Sequence, residues 1–262
     1  MNTNIGLVLS GGGTRGLAHV GVWNVLEAMG FQPSAIAGCS MGAVIGAMIA
    51  SGRSAADIEA FVLAQRARSF FQWPITKLGI ANLTKFEKRL MDFLGTTQFE
   101  RLRIPLVVNA TNLTTGKLVI YNRGQIWPAL RASMSVPGIF APVRSRGEVI
   151  VDGGILHEHP FTLLPPETKK FIMVNCSPRE ALSKQKLSVV DLLRASLNVM
   201  QNTITELELE KIPRENYRLI QPNVHGRNLI ESEKKFTQLI ALGQEAARSE
   251  RANIVALLGE TA

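Results

Sequence analysis

One stretch limits what this chain can fold into more than any other: Ala35-Ile-Ala-Gly-Cys-Ser-Met-Gly-Ala-Val-Ile-Gly-Ala-Met-Ile-Ala50. It reads as a short apolar strand, an abrupt turn at Gly38-Cys-Ser-Met-Gly42, and a helix of small and aliphatic residues. A serine forced onto a sharp strand-to-helix turn carries its hydroxyl to an exposed tip, and only glycine lets backbone pass so close on either side. The helix that follows aims its unpaired N–H groups and positive dipole end at the same tip, which favours negative charge developing there. Ser40 is therefore the candidate nucleophile, with Gly38 and Gly42 as the supports of its elbow. An ordinary glycine-rich turn capped by serine would carry the same letters, so the partners of Ser40 must decide.

The strand-loop-helix theme begins earlier. Ile5-Gly-Leu-Val-Leu9 is apolar on both faces, as a central parallel strand should be, and it empties into Ser10-Gly-Gly-Gly-Thr-Arg-Gly16 before a helix from Leu17 to Met29. The loop matches the dinucleotide pattern through Gly11, Gly13 and Gly16. That reading needs an acidic residue at the end of the second strand, where this chain has Gly38-Cys-Ser40. A Walker loop fails too, because no Gly-Lys-Ser/Thr follows. Three consecutive glycines suit another task, presenting the bare amides of Gly11, Gly12 and Gly13 to an oxyanion. Arg15 could add charge to that site or brace the loop by bonding its carbonyls.

The chain then alternates strand and helix, which points to an α/β fold. Helices are expected at 54–67, with Ser54 and Asp57 at the cap, at 83–95, from Trp127, at 188–211 and as one closing helix from about Ser232 to Leu258. Strands are expected at 104–110, 118–121, 148–151, 171–176 and 217–221, and residues 132–142 as an ordered loop. The basic-aromatic run Gln65 to Pro74 reads as a lid or membrane-contacting edge, or as a helix end packed on the core. At 262 residues and 46% hydrophobic, one large domain over 1–262 is the expectation. No apolar run is long enough to span a membrane, and the N-terminus lacks the marks of a signal peptide, so a cytoplasmic protein is expected. Cys39 and Cys176 have neither disulfide nor metal spacing and read as buried thiols.

A serine hydroxyl needs a base, and the chain has only four aspartates. Asp57 and Asp191 sit three residues after Ser54 and Ser188, at cap positions. Asp92 lies on a charged helix face. Asp152 alone ends a buried strand, against Gly153 and Gly154, although Asp-Gly is also a common turn.

These four blocks, Gly11-Gly-Gly-Thr-Arg-Gly16, Gly38-Cys-Ser-Met-Gly42, Ala132-Ser-Met-Ser-Val-Pro137 and Asp152-Gly-Gly154, resemble in order the motifs of the patatin-like phospholipase family, over about residues 5–165. The short bacterial single-domain members are the most similar, with residues 166–262 completing the same domain. The resemblance implies a three-layer α/β/α fold with a central, mostly parallel sheet. It also implies a Ser40–Asp152 dyad without histidine, and an oxyanion hole from Gly11, Gly12, Gly13 and Arg15. The implied reaction is hydrolysis of a lipid ester through an acyl-enzyme, with no metal and no cofactor. A departure stands after Asp-Gly-Gly: where the family often carries small amides before a proline, this chain has Ile155-Leu-His-Glu-His-Pro160.

Three rival readings remain. A Ser-His-Asp triad could draw on His157, His159 or His225, as in a general carboxylesterase or thioesterase. His157-Glu-His159 invites a metal site but lacks a third ligand grouped nearby. A lipid-binding regulator could keep the fold without turnover. Charge adds a partner: residues 61–147 hold 13 lysines and arginines against 3 acids, the remainder 16 against 18. With no nucleic-acid module around it, that excess suggests peripheral contact with an anionic membrane surface. Oligomeric state and the natural acyl ester are not legible.

Overall fold

A computed structural model of the chain describes residues 4–65, 84–179, 189–225 and 232–259. The basic-aromatic run beyond Gln65 and the Ser188 cap lie outside these residues. Among the described residues, eight strands form one sheet: β1 Ile5–Leu9, β2 Ile36–Gly38, β3 Leu106–Asn112, β4 Lys117–Tyr121, β5 Val143–Ser145, β6 Glu148–Asp152, β7 Lys170–Val174 and β8 Tyr217–Ile220. The order is β5-β6-β3-β2-β1-β7-β8, with β4 also paired to β3. The run from β3 through β2, β1 and β7 to β8 is parallel, while β4, β5 and β6 pair antiparallel. The architecture is the α/β fold that the alternation implied, with the mostly parallel central sheet that the resemblance implied. β7 lies beyond residue 165 yet pairs directly with β1, so the later part of the chain builds the same sheet.

Period-two alternation divides the strands between two cores. Ile5, Leu7 and Leu9 of β1, with Ile36, Leu106, Val108, Ile172, Val174 and Ile220, pack against most of the helices. That layer contains α1 Ala18–Ala28, α2 Met41–Ala50, α3 Ala55–Leu63, α4 Thr84–Leu94 and α5 Ile126–Ser133. On the other face Val8, Ala37, Phe171, Met173 and Tyr217 meet Phe161 and Leu164. There Phe161, Phe171 and Tyr217 stack in sequence, with centroids 5.3 and 5.6 Å apart. Two further elements flank the site, the single turn α6 Gly154–His157 and the long helix α7 Val189–Leu209.

The local signals largely hold. Ser54 Oγ accepts the Asp57 N–H at 3.1 Å, the cap its position implied, and Asp92 is exposed. Two elements differ from expectation. The closing helix is two, α8 Phe236–Ser249 and α9 Arg251–Leu258, broken at Glu250 without any proline or glycine to announce it. An unforeseen edge strand, β5, pairs with β6 across the two-residue turn Arg146-Gly147, both at positive φ.

α1 and α8 approach backbone to backbone. A Cβ on Gly21 would meet the Ile240 carbonyl oxygen, and one on Gly243 would meet that of Ala18. Gly21→Ala and Gly243→Ala are each expected to cost about 3 kcal/mol of stability, because neither backbone can yield. Gly30→Ala, at φ 77 with open space around it, should cost only about 1 kcal/mol. Urea denaturation of the three variants checks the ranking.

Candidate active site

The site is set by where two strands stop. β2 pairs with β3 as far as Gly38↔Val108, and β6, running the other way, ends at Asp152↔Ala110. Val108 pairs with both β2 and β4, and Ala110 with both β4 and β6, so β2 and β6 share one edge of β3. Their C-terminal ends face each other across Asn109, roughly 6.6 Å apart along the strand. Whatever follows Gly38 and whatever ends β6 must therefore meet. Asn109 Nδ2 fixes the junction by donating to the Gly153 carbonyl at 3.2 Å and to that of His157 at 2.8 Å.

Ser40 occupies the tip between β2 and α2, with φ 52 and ψ −121, a conformation that an L-residue holds only when its surroundings enforce it. The enforcement is visible. A Cβ on Gly38 would lie 2.7 Å from Ala43 Cα, and one on Gly42 would strike the carbonyl oxygens of Leu9 and Ser10. The Ser40 N–H donates to Ser133 Oγ at 2.8 Å, and the Ser40 side chain makes no capping bond to α2. The hydroxyl is left for other work.

Asp152 is buried, and burial pushes its carboxyl up to about 6, against the Gly154 N–H and the Ser40 and Cys39 side chains, which favour the anion. Oδ1 accepts the Gly154 N–H at 2.7 Å, while Oδ2 is buried without a bonded partner. The Asp152 N–H donates to the Ser135 carbonyl at 3.0 Å. The end of α5 thus grips both strands, through Ser133 on one side and Ser135 on the other. Nothing local in the sequence announces that role.

The glycine loop lies alongside. Gly12 and Gly13 have φ 126 and 60, and a Cβ on Gly12 would sit 2.7 Å from the Cys176 carbonyl oxygen. Among the described residues, the N–H groups of Gly11, Gly12 and Gly13 make none of the loop's backbone hydrogen bonds. Arg15 is buried, its Nε donates to the Gly12 carbonyl at 3.3 Å, and its charge falls on Glu158 and Cys176. Its visible contacts are those of a loop brace. Gly153 packs on Asn109 and Gly154 on the Asp152 and Glu158 carboxyls, so neither has room for a side chain.

The histidines go elsewhere. His157 Nε2 pairs with Thr162 Oγ1 at 2.7 Å, His159 Nδ1 with Thr205 Oγ1 at 2.8 Å, and burial lowers both rings to about 4. His225 is exposed, and His19, unremarked in the sequence, is buried with Nε2 2.8 Å from the Ser10 carbonyl. None bonds Ser40 or Asp152 among the described residues, and His157 and His159 diverge from any common ligand. The group that does converge is Cys39, Asp152 and Glu158, with one donor atom of each within 4.8 Å of the others. Sequence reasoning missed Glu158 as a site residue.

The patatin-like phospholipase family profile matches residues 7–165. The chain belongs to the patatin-like phospholipase family. An uncharacterized NTE family protein of Mycobacterium tuberculosis is 38% identical over 165 residues, covering 60% of this chain and 44% of that protein. A protein of Meyerozyma guilliermondii named lysophospholipase NTE1 is 31% identical over 180 residues, 66% of this chain and 12% of that protein. The chain thus spans less than half the length of the curated relatives it resembles. Among solved structures, VipD from Legionella pneumophila aligns over 98% of this chain and 67% of its own at a TM-score of 0.57 and 18% identity, a likeness of fold. The patatin-like blocks are the ones assembled above.

Ser133→Ala would leave the Ser40 amide buried without its acceptor. It is expected to destabilise the fold by about 1–3 kcal/mol. A Cm unchanged within error would show that the Ser133 hydroxyl does not hold the elbow.

Proposed function

We propose that this chain is a serine acyl hydrolase that cleaves lipid ester bonds of the phospholipase A or lysophospholipase type, with Ser40 as nucleophile and Asp152 as base. The observation that carries the reading is the meeting of the β2 and β6 ends. It brings a serine held at a left-handed φ, whose side chain makes no helix cap, to a buried carboxyl whose anion that side chain favours. Membership in the family supports it, as does a relative named as a lysophospholipase.

Ser40 Oγ attacks the ester carbonyl carbon while Asp152 takes its proton. The carbonyl oxygen becomes an oxyanion, which the free amides of Gly11, Gly12 and Gly13 receive with help from the α2 dipole. The tetrahedral intermediate collapses, Asp152 passes the proton to the departing alcohol oxygen, and an acyl ester on Ser40 remains. Water then gives a proton to Asp152 and attacks the acyl carbon. Collapse of the second intermediate frees the carboxylic acid and returns the proton to Ser40. A carboxylate near its ordinary value would be a feeble base, and desolvation supplies the missing basicity.

A lipid surface as the source of substrate is favoured by the basic excess of residues 61–147 and by the face of α7. Leu193 and Met200 are exposed there, while Gln201 of the same helix donates to the Gly154 carbonyl at 2.6 Å. No helix among the described residues is long and apolar enough to cross a membrane, so contact would be peripheral.

Ser40→Ala and Asp152→Asn are each expected to lower kcat/KM for p-nitrophenyl butyrate on the order of 10³-fold, and Ser40→Ala to abolish fluorophosphonate labelling. Well-folded protein that takes up no label would instead be a binder, and comparable loss in a single His→Ala variant would restore the triad. The base must be ionised, so kcat/KM should fall as pH drops through about 6. Replacing Leu193 and Met200 with Glu should cost about tenfold on vesicle-borne phospholipid, the worth of one buried apolar side chain, and leave the soluble ester untouched.

A further inference from the structure

Glu158 follows α6 as a bend and turns back into the site. Its carboxyl is buried, 3.9 Å from Cys39 Sγ, and Asp152 Oδ1 lies 3.8 Å from the same sulfur. A Cβ on Gly11 would sit 2.7 Å from Glu158 Oε1, and one on Gly154 would strike Oε2. The side chain therefore fills the space between the glycine loop and the base. Its other neighbours are Arg15, Ser177 and Cys176, of which Arg15 alone is cationic. The Cys39 thiol is held protonated by burial first and by the Asp152 charge second. Two buried carboxyls and a thiol at this spacing cannot all ionise.

We propose that Glu158 is a positioning residue: held as the neutral acid, it packs between the glycine loop and Asp152, so that the one negative charge this site sustains stays on the base. The proposal rests on the dyad reading above. Asp152 is the better anion because it takes the Gly154 N–H directly, whereas burial and the Asp152 charge outweigh the pull of Arg15 on Glu158 and push its carboxyl to about 8. Above that pH a second charge appears beside Gly11, where the oxyanion must form, and turnover falls.

The test is the pH profile of kcat/KM for p-nitrophenyl butyrate in the wild type, Glu158→Gln and Glu158→Ala. A glutamine keeps the shape and neutrality of the acid. Glu158→Ala should lose about 30-fold at pH 7, Glu158→Gln should return to within about threefold of wild type, and the alkaline decline should vanish in both, since neither carries a carboxyl at position 158. A wild type without decline above pH 8, or a Glu158→Gln variant that keeps it, overturns the proposal. So does stoichiometric zinc in the purified protein, since a metal would then neutralise the cluster. Infrared titration of ¹³C-glutamate-labelled Ser40→Ala protein reads the same proton without turnover or any change at Glu158. One protonated glutamate at pH 7, lost above about pH 8, supports the proposal, and its absence refutes it. If Ser40→Ala still hydrolysed ester, the dyad would fail while the infrared result judged Glu158 on its own.

Discussion

The collision of two strand ends on one edge of β3 is the constraint from which the site follows. In an open parallel sheet, strands finish side by side, and the groups beyond them converge only through their loops. Here β2 and β6 approach head to head, with Asn109 as the residue between their ends. A loop can drift, whereas two strands hydrogen-bonded to the same edge keep their separation as well as the sheet does. That rigidity also explains how Ser40 holds a left-handed φ. The carbonyls of Leu9 and Ser10 on one side and Ser133 on the other leave the chain no relaxed route from strand to helix.

The same closeness sets the electrostatic problem. Two carboxylates within 4.8 Å would repel by roughly 3 kcal/mol even at an effective dielectric of 20, before any cost of burial. A protein can meet that with a cation, a proton or water. Arg15 pulls on Glu158, but burial and the Asp152 charge together outweigh it, which favours a proton on Glu158. On the proposed dyad, the burial that raises the Asp152 carboxyl toward a useful basicity is also the burial that keeps its neighbour neutral.

How much of this could be read from the chain depended on whether the signal was local. The elbow was legible because Gly38 and Gly42 bracket one serine between a strand and a helix, and Asp152 because it ends an apolar strand against two glycines. The glycine loop was legible as bare backbone. By contrast, Ser133 meets Ser40 across 93 positions, and Ser135 reaches Asp152 only once β6 is docked. Neither contact leaves a trace in periodicity. β5 escaped notice because three residues cannot show alternation, and its turn uses Arg146 at φ 50 where asparagine would have advertised the hairpin. Glu158 was hidden in plain view. Set between two histidines it suggested a metal, yet those rings turn away to Thr162 and Thr205 and only the glutamate faces inward.

Where the family's motifs end, the site does not. Residues 7–165 carry Ser40, Asp152 and the glycines, but the loop that presents those glycines is shaped from beyond that limit. The Cys176 N–H donates to Ser10 Oγ at 2.8 Å, and its carbonyl closes the space above Gly12. Ser177 faces Glu158, Gln201 holds the Gly154 carbonyl, and Thr205 holds His159. β7 and α7 therefore form one wall of the candidate site, and the run His157-Glu-His159 is where this chain fastens that wall to the end of β6. Three consecutive residues thus supply both the attachments to Thr162 and Thr205 and the buried carboxyl that packs against the glycine loop.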